Sequence, residues 1–242
     1  MKILGIESSS LVASAAILTD GLVTAEYTVN HRKTHSQTLL PMIDEIVRMT
    51  ELDLHGLDAI AVSGGPGSFT GLRIGSATAK GFGLALDKPL IHVPTLDAMA
   101  WNLYGCAQLI CPIMDARRGQ VYTGIYTFET EEDFQVIRES AAMDLGELIG
   151  ILRGMGEPVV FLGDGVPVGE ARIREELGAQ AHFAPPQSNR QRASSVAALG
   201  AKLYREGKTE TAAEHAPSYY RMSQAERERK ARLAAKEAGE NG

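Results

Sequence analysis

Hydrophobic and polar positions along the first hundred residues predict a short mixed series of strands and helices. Three apolar runs separated by Ser-rich or Asp-Gly breaks indicate strands, and the next segment places Leu39, Ile43 and Ile46 at helical spacing. The predicted strands are 2–7, 12–18, 22–29, 58–63 and 90–93, and the predicted helices are 35–50, 71–86 and 95–104. This order is βββαβαβα.

The second part of the chain repeats that order more weakly. It predicts strands at 109–115, 120–128, 134–139, 158–162 and 181–183, and helices at 145–153, 168–177 and 190–205. We therefore expect a duplicated α/β fold of two lobes, with helices covering mixed sheets. The expected divisions are an N-terminal lobe at 1–105, a second lobe at 106–221 whose last core helix is 190–205, and a charged tail at 222–242. One continuous α/β domain is the alternative.

Composition narrows the class of protein. The 242 residues are 44% hydrophobic and 22% charged, which is ordinary for a globular protein and excludes a disordered or fibrous one. With 24 Lys and Arg against 30 Asp and Glu, the net charge of -6 has the wrong sign for a protein that grips nucleic acid over its whole surface. The spacing of Cys106 and Cys111 fits neither a zinc knuckle nor a redox pair. We expect a cytoplasmic protein without a membrane segment.

A glycine-rich loop at 64–75 joins a predicted strand to a predicted helix. Such loops present backbone N–H groups at a positive helix end and can hold an anion, although the lysine of a Walker loop is missing. Close packing is an equally good explanation for the glycines. Together with the turns after the first strand of each lobe, the loop gives a weak candidate site for a nucleotide or anion: Ser8, Ser9, Gly65, Gly67, Ser68, Asp115, Arg117 and Arg118.

Small residues recur at every fourth position of the helix that follows this loop. Four such residues in register let another backbone approach closely, and each glycine costs up to about 1 kcal/mol of helix propensity that a contact must offset. The contact is either the protein's own sheet or first helix, or a second chain; Met42 and Met49 favour the second chain. The predicted partner interface comprises His35, Leu39, Met42, Ile43, Ile46, Gly71, Arg73, Gly75, Ala79 and Gly83.

The sequence offers no convincing catalytic residues. His31 and His35 have the spacing of metal ligands on a helix, but the glutamate of a metalloprotease motif is missing and two cations lie between them. We also find no nucleophile elbow and no cysteine beside a suitable histidine. The expectation is a protein without catalytic residues or a metal site. The alternative is a phosphotransferase or ATPase that uses the cleft between the lobes through Ser8, Ser9 and Asp115.

Five segments together resemble the TsaB (YeaZ) family of bacterial tRNA-modification subunits. They are ILGIESS, HSQTLLPMIDEIV, GGPGSFTGLRIGSATAKG, MDARRGQVY and PSYYR, and the resemblance extends over 1–221. It implies an actin-like, Hsp70-like ATPase fold of the ribonuclease H-like class. It also implies a cytoplasmic role in forming N6-threonylcarbamoyladenosine (t6A) at adenosine 37 of tRNA.

The resemblance further implies a non-catalytic subunit that activates a homologous catalytic subunit, TsaD, with the ATPase TsaE joining the pair. Pairing would use the first two helices, 35–50 and 71–86, and tRNA would be contacted only through the complex. The segment 95–105, where the catalytic relative holds its metal, has no histidine, and Glu7 stands where the family more usually has Asp. We therefore expect no intrinsic cofactor, with the subunit interface as the place where ATP or ADP could bind. A homodimer is expected when the partner is absent.

Overall fold

The computed structural model describes residues 1–31, 33–130 and 133–220, so the predicted charged tail at 222–242 lies outside the described residues. Two five-stranded sheets form the centre of the molecule. The first contains β1 (Lys2–Glu7), β2 (Val12–Thr19), β3 (Leu22–Asn30), β4 (Ala59–Gly65) and β5 (Leu90–Pro94). The second contains β6 (Leu109–Asp115), β7 (Gln120–Phe128), β8 (Phe134–Asp144), β9 (Val159–Leu162) and β10 (Ala181–Phe183).

The two sheets have the same topology. The strand order is β3-β2-β1-β4-β5 in the first sheet and β10-β9-β6-β7-β8 in the second, which is the same order read from the opposite edge. In each sheet the first strand pairs antiparallel with the second and parallel with the fourth. This repetition confirms the predicted duplicated βββαβαβα fold.

Within the part of the chain that the structure describes, six α-helices cover the sheets: α1 (His35–Thr50), α2 (Phe69–Leu86), α3 (Thr95–Ala100), α4 (Leu145–Met155), α5 (Val166–Leu177) and α6 (Ala193–Arg205). Helices α1 and α2 contact each other and lie on one face of the first sheet, where Leu39 and Ile43 pack against Leu4 and Ile6. Helices α4 and α5 cover the outer face of the second sheet in the same way. Side chains of β1 alternate between the two faces of the sheet, and both faces are covered: Leu4 and Ile6 pack with α1, and Ile3 packs with α6.

The final helices of the two halves pack differently. Helix α6 packs on the first sheet, where Val196 and Ala197 belong to the cluster that contains Ile3 and Ala61. Helix α3 contacts both sheets, because Ala98 belongs to that same cluster while Leu96 packs with residues of the second sheet. The predicted last core helix of the second lobe thus belongs to the core of the first, and α3 connects the two sheets.

Most predicted boundaries agree with the structure to within two residues. The larger differences are in α3, in β8, which extends to Asp144 rather than 139, and in α6, which begins at Ala193 rather than 190. Helix α2 starts at Phe69 because the Ser68 side chain accepts a hydrogen bond from the Gly71 N–H and caps the helix. Helix α3 ends at Ala100 and is followed by a 3-10 turn at Trp101–Leu103, whereas the sequence predicts one helix to residue 104. Within the described ranges, no helix has the length and apolar character needed to span a bilayer.

Candidate functional site

The turn after β1 forms hydrogen bonds to the side-chain carboxylate of Glu7, the last residue of that strand. Glu7 is buried, and its Oε1 accepts hydrogen bonds from the Ser9 N–H and the Ser9 hydroxyl, each at 2.6 Å. Burial raises the pKa of Glu7 to about 7, although the bonds from Ser9 partly oppose that shift. The carboxylate is therefore already bonded to Ser9, one of the two serines that were predicted to contact a ligand.

The glycine-rich loop packs against this turn. The Ser68 N–H donates to the Ser9 carbonyl at 2.6 Å, and the Gly65 N–H donates to Thr95 Oγ1 at 3.1 Å. A Cβ at Gly67 would overlap the Ser9 carbonyl, and one at Gly65 would overlap the Ser218 carbonyl. The structure thus brings Ser8, Ser9, Gly65, Gly67 and Ser68 together as predicted. These residues contact one another and adjacent segments of the same chain. This favours a role of the glycines in packing over a role in binding an anion.

The corresponding turn of the second half faces solvent. Asp115 is exposed and its Oδ1 accepts the Arg117 N–H at 2.7 Å, while Arg117 and Arg118 have φ values of 63° and 58°. These arginines are the second and third residues of a tight β6–β7 turn. The side chains of these arginines are exposed, and among the described residues no hydrogen bond or ion pair joins them to the Glu7 turn or the glycine-rich loop.

Asp164, which no sequence motif singled out, follows β9 in the loop Gly163-Asp164-Gly165. Burial raises the pKa of Asp164, and its charge contributes to the raised pKa of Glu7. Asp164 Oδ1 is buried without a hydrogen-bond partner among the described residues. Carboxyl groups from both halves, Glu7 and Asp164, are therefore near enough for their charges to interact, which disfavours a bare phosphate beside them. The signal for Asp164 was its place after β9, which matches the place of the glycine loop after β4.

The predicted small-residue ridge lies inside the molecule, not on its surface. Gly71, Gly75, Ala79 and Gly83, here called the inner stripe, are all buried. A Cβ at Gly71 or Gly75 would overlap Ser8, and one at Gly83 would overlap the Leu90 side chain. The prediction of a second chain over this stripe is wrong: the protein's own turn and sheet make the close approach.

Most of the other predicted interface residues are also part of the core. Leu39, Met42, Ile43 and Ile46 are buried in α1. Half-buried His35 makes only a 3.4 Å contact from Nε2 to the Leu11 carbonyl. Arg73 is exposed, but its guanidinium lies 3.9 Å from the Phe69 ring and its Nε donates to Tyr219 Oη at 3.2 Å.

The opposite side of α2 carries a second series of small residues that is open to solvent. Ala77, Gly81 and Ala85 recur every fourth residue and are exposed, and Leu84 between them is 74% exposed. These four residues are the outer stripe. Open space surrounds the position of a Cβ at Gly81, so no contact within the described chain requires glycine there. On α1, Leu40 is also 53% exposed.

Comparison with known proteins gives the family. A family model described as TsaD, tRNA N6-adenosine threonylcarbamoyltransferase, matches residues 23–229. The tRNA threonylcarbamoyladenosine biosynthesis protein TsaB of Bacillus subtilis is 34% identical over 228 residues, which cover 93% of this chain and 96% of that protein. This chain belongs to the TsaB family.

Other similarities agree with this TsaB assignment. The Escherichia coli TsaB protein is 39% identical over 129 residues, covering 52% of this chain and 55% of that one. The structure of YeaZ from Pseudomonas aeruginosa has a TM-score of 0.74 at 24% identity and covers 90% of this chain and 99% of that chain. A ROK hexokinase from Thermus thermophilus has a TM-score of 0.50. These structural similarities show the actin-like ATPase fold that the sequence resemblance implied.

Proposed function

We propose that this chain is a non-catalytic subunit required for t6A formation at position 37 of tRNA, and that it binds and activates a TsaD-like catalytic subunit. Relatives named for tRNA threonylcarbamoyladenosine biosynthesis support the pathway. The observation that carries the role as a partner is the outer stripe, where an exposed leucine adjoins exposed small residues on a helix of the first lobe.

The outer stripe has the properties of a helix-packing surface. A glycine at position 81, in an exposed helix interior, lowers helix stability by about 1 kcal/mol relative to alanine. No close contact within the described chain requires a glycine at this position. Small side chains let a second helix approach closely, and Leu84 supplies an apolar side chain to bury. Helix α1 covers the same face of the sheet and presents Leu40, which extends the apolar surface toward the first helix. A partner helix that packs over α2 would therefore bury the Leu84 side chain and the exposed backbone of the outer stripe.

The contacts within the Glu7 turn and the glycine-rich loop support a role without chemistry of its own. The Glu7 carboxylate is held by Ser9, and the loop N–H groups of Gly65 and Ser68 donate within the chain. In this proposal the chain has no intrinsic cofactor, ATP or ADP binds where the subunits meet, and a TsaE-like ATPase joins the pair. Contact with tRNA is made through the catalytic subunit, as the net charge of -6 favours.

The test is reconstitution of tRNA modification from purified subunits. We expect little t6A without this chain and full formation with it. Leu84→Asp places a charge in the proposed interface, so we expect it to lower the rate at limiting chain concentration by at least about tenfold. Val168→Asp on α5 is the matched control, because Val168 is 76% exposed and lies on a different helix.

Two results would contradict the proposal. Modification at the full rate without the chain would show that it is not required. Equal rates for Leu84→Asp and Val168→Asp would show that the outer stripe does not bind the catalytic subunit.

A further inference from the structure

A segment after α6, residues 208–220, crosses the first sheet and is called the strap. Its start pairs with β5, because the Leu90 N–H donates to the Glu210 carbonyl at 2.8 Å and the Glu210 N–H donates to the Leu90 carbonyl at 2.9 Å. Farther along, the Ser218 N–H donates to the Gly64 carbonyl at 2.7 Å. The strap is thus fixed to the ends of two neighbouring strands.

Three side chains with metal-binding atoms meet where the strap crosses β5. His92 lies on β5, and Glu210 and His215 lie on the strap. One candidate ligand atom from each of the three lies within 4.8 Å of the others, and the two imidazole centroids are 5.8 Å apart. His215 Nδ1 is 2.5 Å from Glu210 Oε1. These residues belong neither to the Glu7 turn nor to the outer stripe.

The buried ring of His215 is held by Glu210. His215 is 1% exposed, its Nδ1 is 2.5 Å from Glu210 Oε1, and its Nε2 has no hydrogen-bond partner among the described residues. A metal held by both residues would bind between Nδ1 and Oε1, in place of the proton that these two atoms share.

Gly64 on β4 leaves the space that the His92 ring occupies. A Cβ at Gly64 would overlap the His92 ring, so the imidazole lies directly on the backbone of β4. A glycine there has no positive φ to explain it. The contact accounts for a residue of the glycine-rich segment that the turn itself does not require.

We propose that His92, Glu210 and His215 form a site for Zn²⁺ or a similar divalent transition metal that fastens the strap to the first sheet. Two imidazoles and one carboxylate suit zinc, whereas magnesium and calcium prefer oxygen ligands. Zinc binds such atoms at about 2.0–2.2 Å, so tetrahedral ligand atoms lie roughly 3.3–3.5 Å apart. Binding requires the widest pair to draw together from 4.8 Å, by rotation of side chains that the backbone already places side by side. A water molecule completes the four ligands.

The consequence of binding is a more stable strap. The strap also carries Tyr219, whose ring centroid is 4.7 Å from that of Phe69 at the start of α2. A metal that crosslinks residues 92, 210 and 215 adds its binding free energy to the folded state. The proposed function does not depend on this site.

The experiment titrates the full chain, freed of metal by chelation, with Zn²⁺ alone and with Mg²⁺ alone, using calorimetry, thermal unfolding and hydrogen exchange. We expect one Zn²⁺ per chain, a higher unfolding midpoint, and slower exchange of the strap amides, with no such effect of Mg²⁺ at the same concentration. Glu210→Gln keeps an oxygen that can accept the His215 N–H, so the fold should persist while zinc affinity falls at least about tenfold. His92→Gln should weaken zinc binding as well.

The matched control is His55→Gln, which removes an exposed histidine from the 3-10 turn Leu54–Gly56. It should bind Zn²⁺ as the unchanged protein does. The proposal is overturned if the unchanged protein binds no zinc, or if folded Glu210→Gln and His92→Gln variants bind it with unchanged affinity and stoichiometry.

Discussion

The inner and outer stripes of α2 carry similar small residues but differ in what they touch. At the inner stripe, Gly71 and Gly75 lie so close to Ser8 that a Cβ at either position would overlap it. At the outer stripe, Gly81 adjoins open space and Leu84 is 74% exposed. The fold of the single chain explains the inner glycines, whereas no contact within the described chain accounts for the outer glycine. A fourfold spacing of small residues therefore identifies a packing face but does not say which molecule packs there.

The largest expected effect is on the pH dependence of stability, and it concerns Glu7, which lies in the turn beneath the inner stripe. Burial raises the pKa of Glu7 to about 7, whereas glutamate in an unfolded chain titrates near about 4.3. The folded chain then holds its proton more tightly, so this group favours the folded state most at low pH. Its contribution is lost as the pH rises from about 4.3 through 7.

Replacing Glu7 with glutamine should remove the pH dependence of folding stability that comes from this carboxyl group. We expect the stability of Glu7→Gln relative to the unchanged protein to rise by roughly 2 to 3 kcal/mol between pH 5 and pH 8. Urea unfolding of both proteins across this range measures the difference, and the other titrating groups cancel. A difference that is constant with pH would mean that Glu7 titrates normally and that the turn is open to solvent.

Much of this framework was predictable from sequence, because hydrophobic periodicity fixes elements locally. The bounds of α1, β1 and β6 agree with prediction. The direction in which α2 faces was not predictable, since small residues recur at four-residue spacing on both of its sides. Nor does local sequence show that α6 leaves its own half and packs on the first sheet.

The residues of the candidate site likewise fall into those that the sequence predicted and those that it did not. The serine turn and glycine loop were recognised from their composition, and they are indeed in contact. Asp164 was missed because it is a single acid in a short loop. The grouping of His92 with Glu210 and His215 depends on the path of the strap, which joins residues more than a hundred positions apart in the chain. Only tertiary structure brings such residues together.

A smaller effect distinguishes the stripes by the sign of the stability change. Gly71→Ala forces a methyl group against the Ser8 carbonyl, and we expect a loss of roughly 2 kcal/mol. Gly81→Ala adds a methyl group in open space and improves helix propensity, so we expect a gain of up to about 1 kcal/mol. Chemical unfolding of the two variants checks the pair. Two losses, or two gains, would contradict the assignment of inner and outer faces.

The central claim is that the outer stripe is where the catalytic subunit binds, and the affinity of a TsaD-like subunit for Gly81→Arg tests it most directly. The control is Gly150→Arg, an exposed glycine within α4 that likewise adjoins open space. With both variants folded, we predict that Gly81→Arg weakens binding at least about thirtyfold, or ~2 kcal/mol, while Gly150→Arg stays within about twofold of the unchanged chain. Unchanged affinity for Gly81→Arg would contradict the claim and place the partner on another surface.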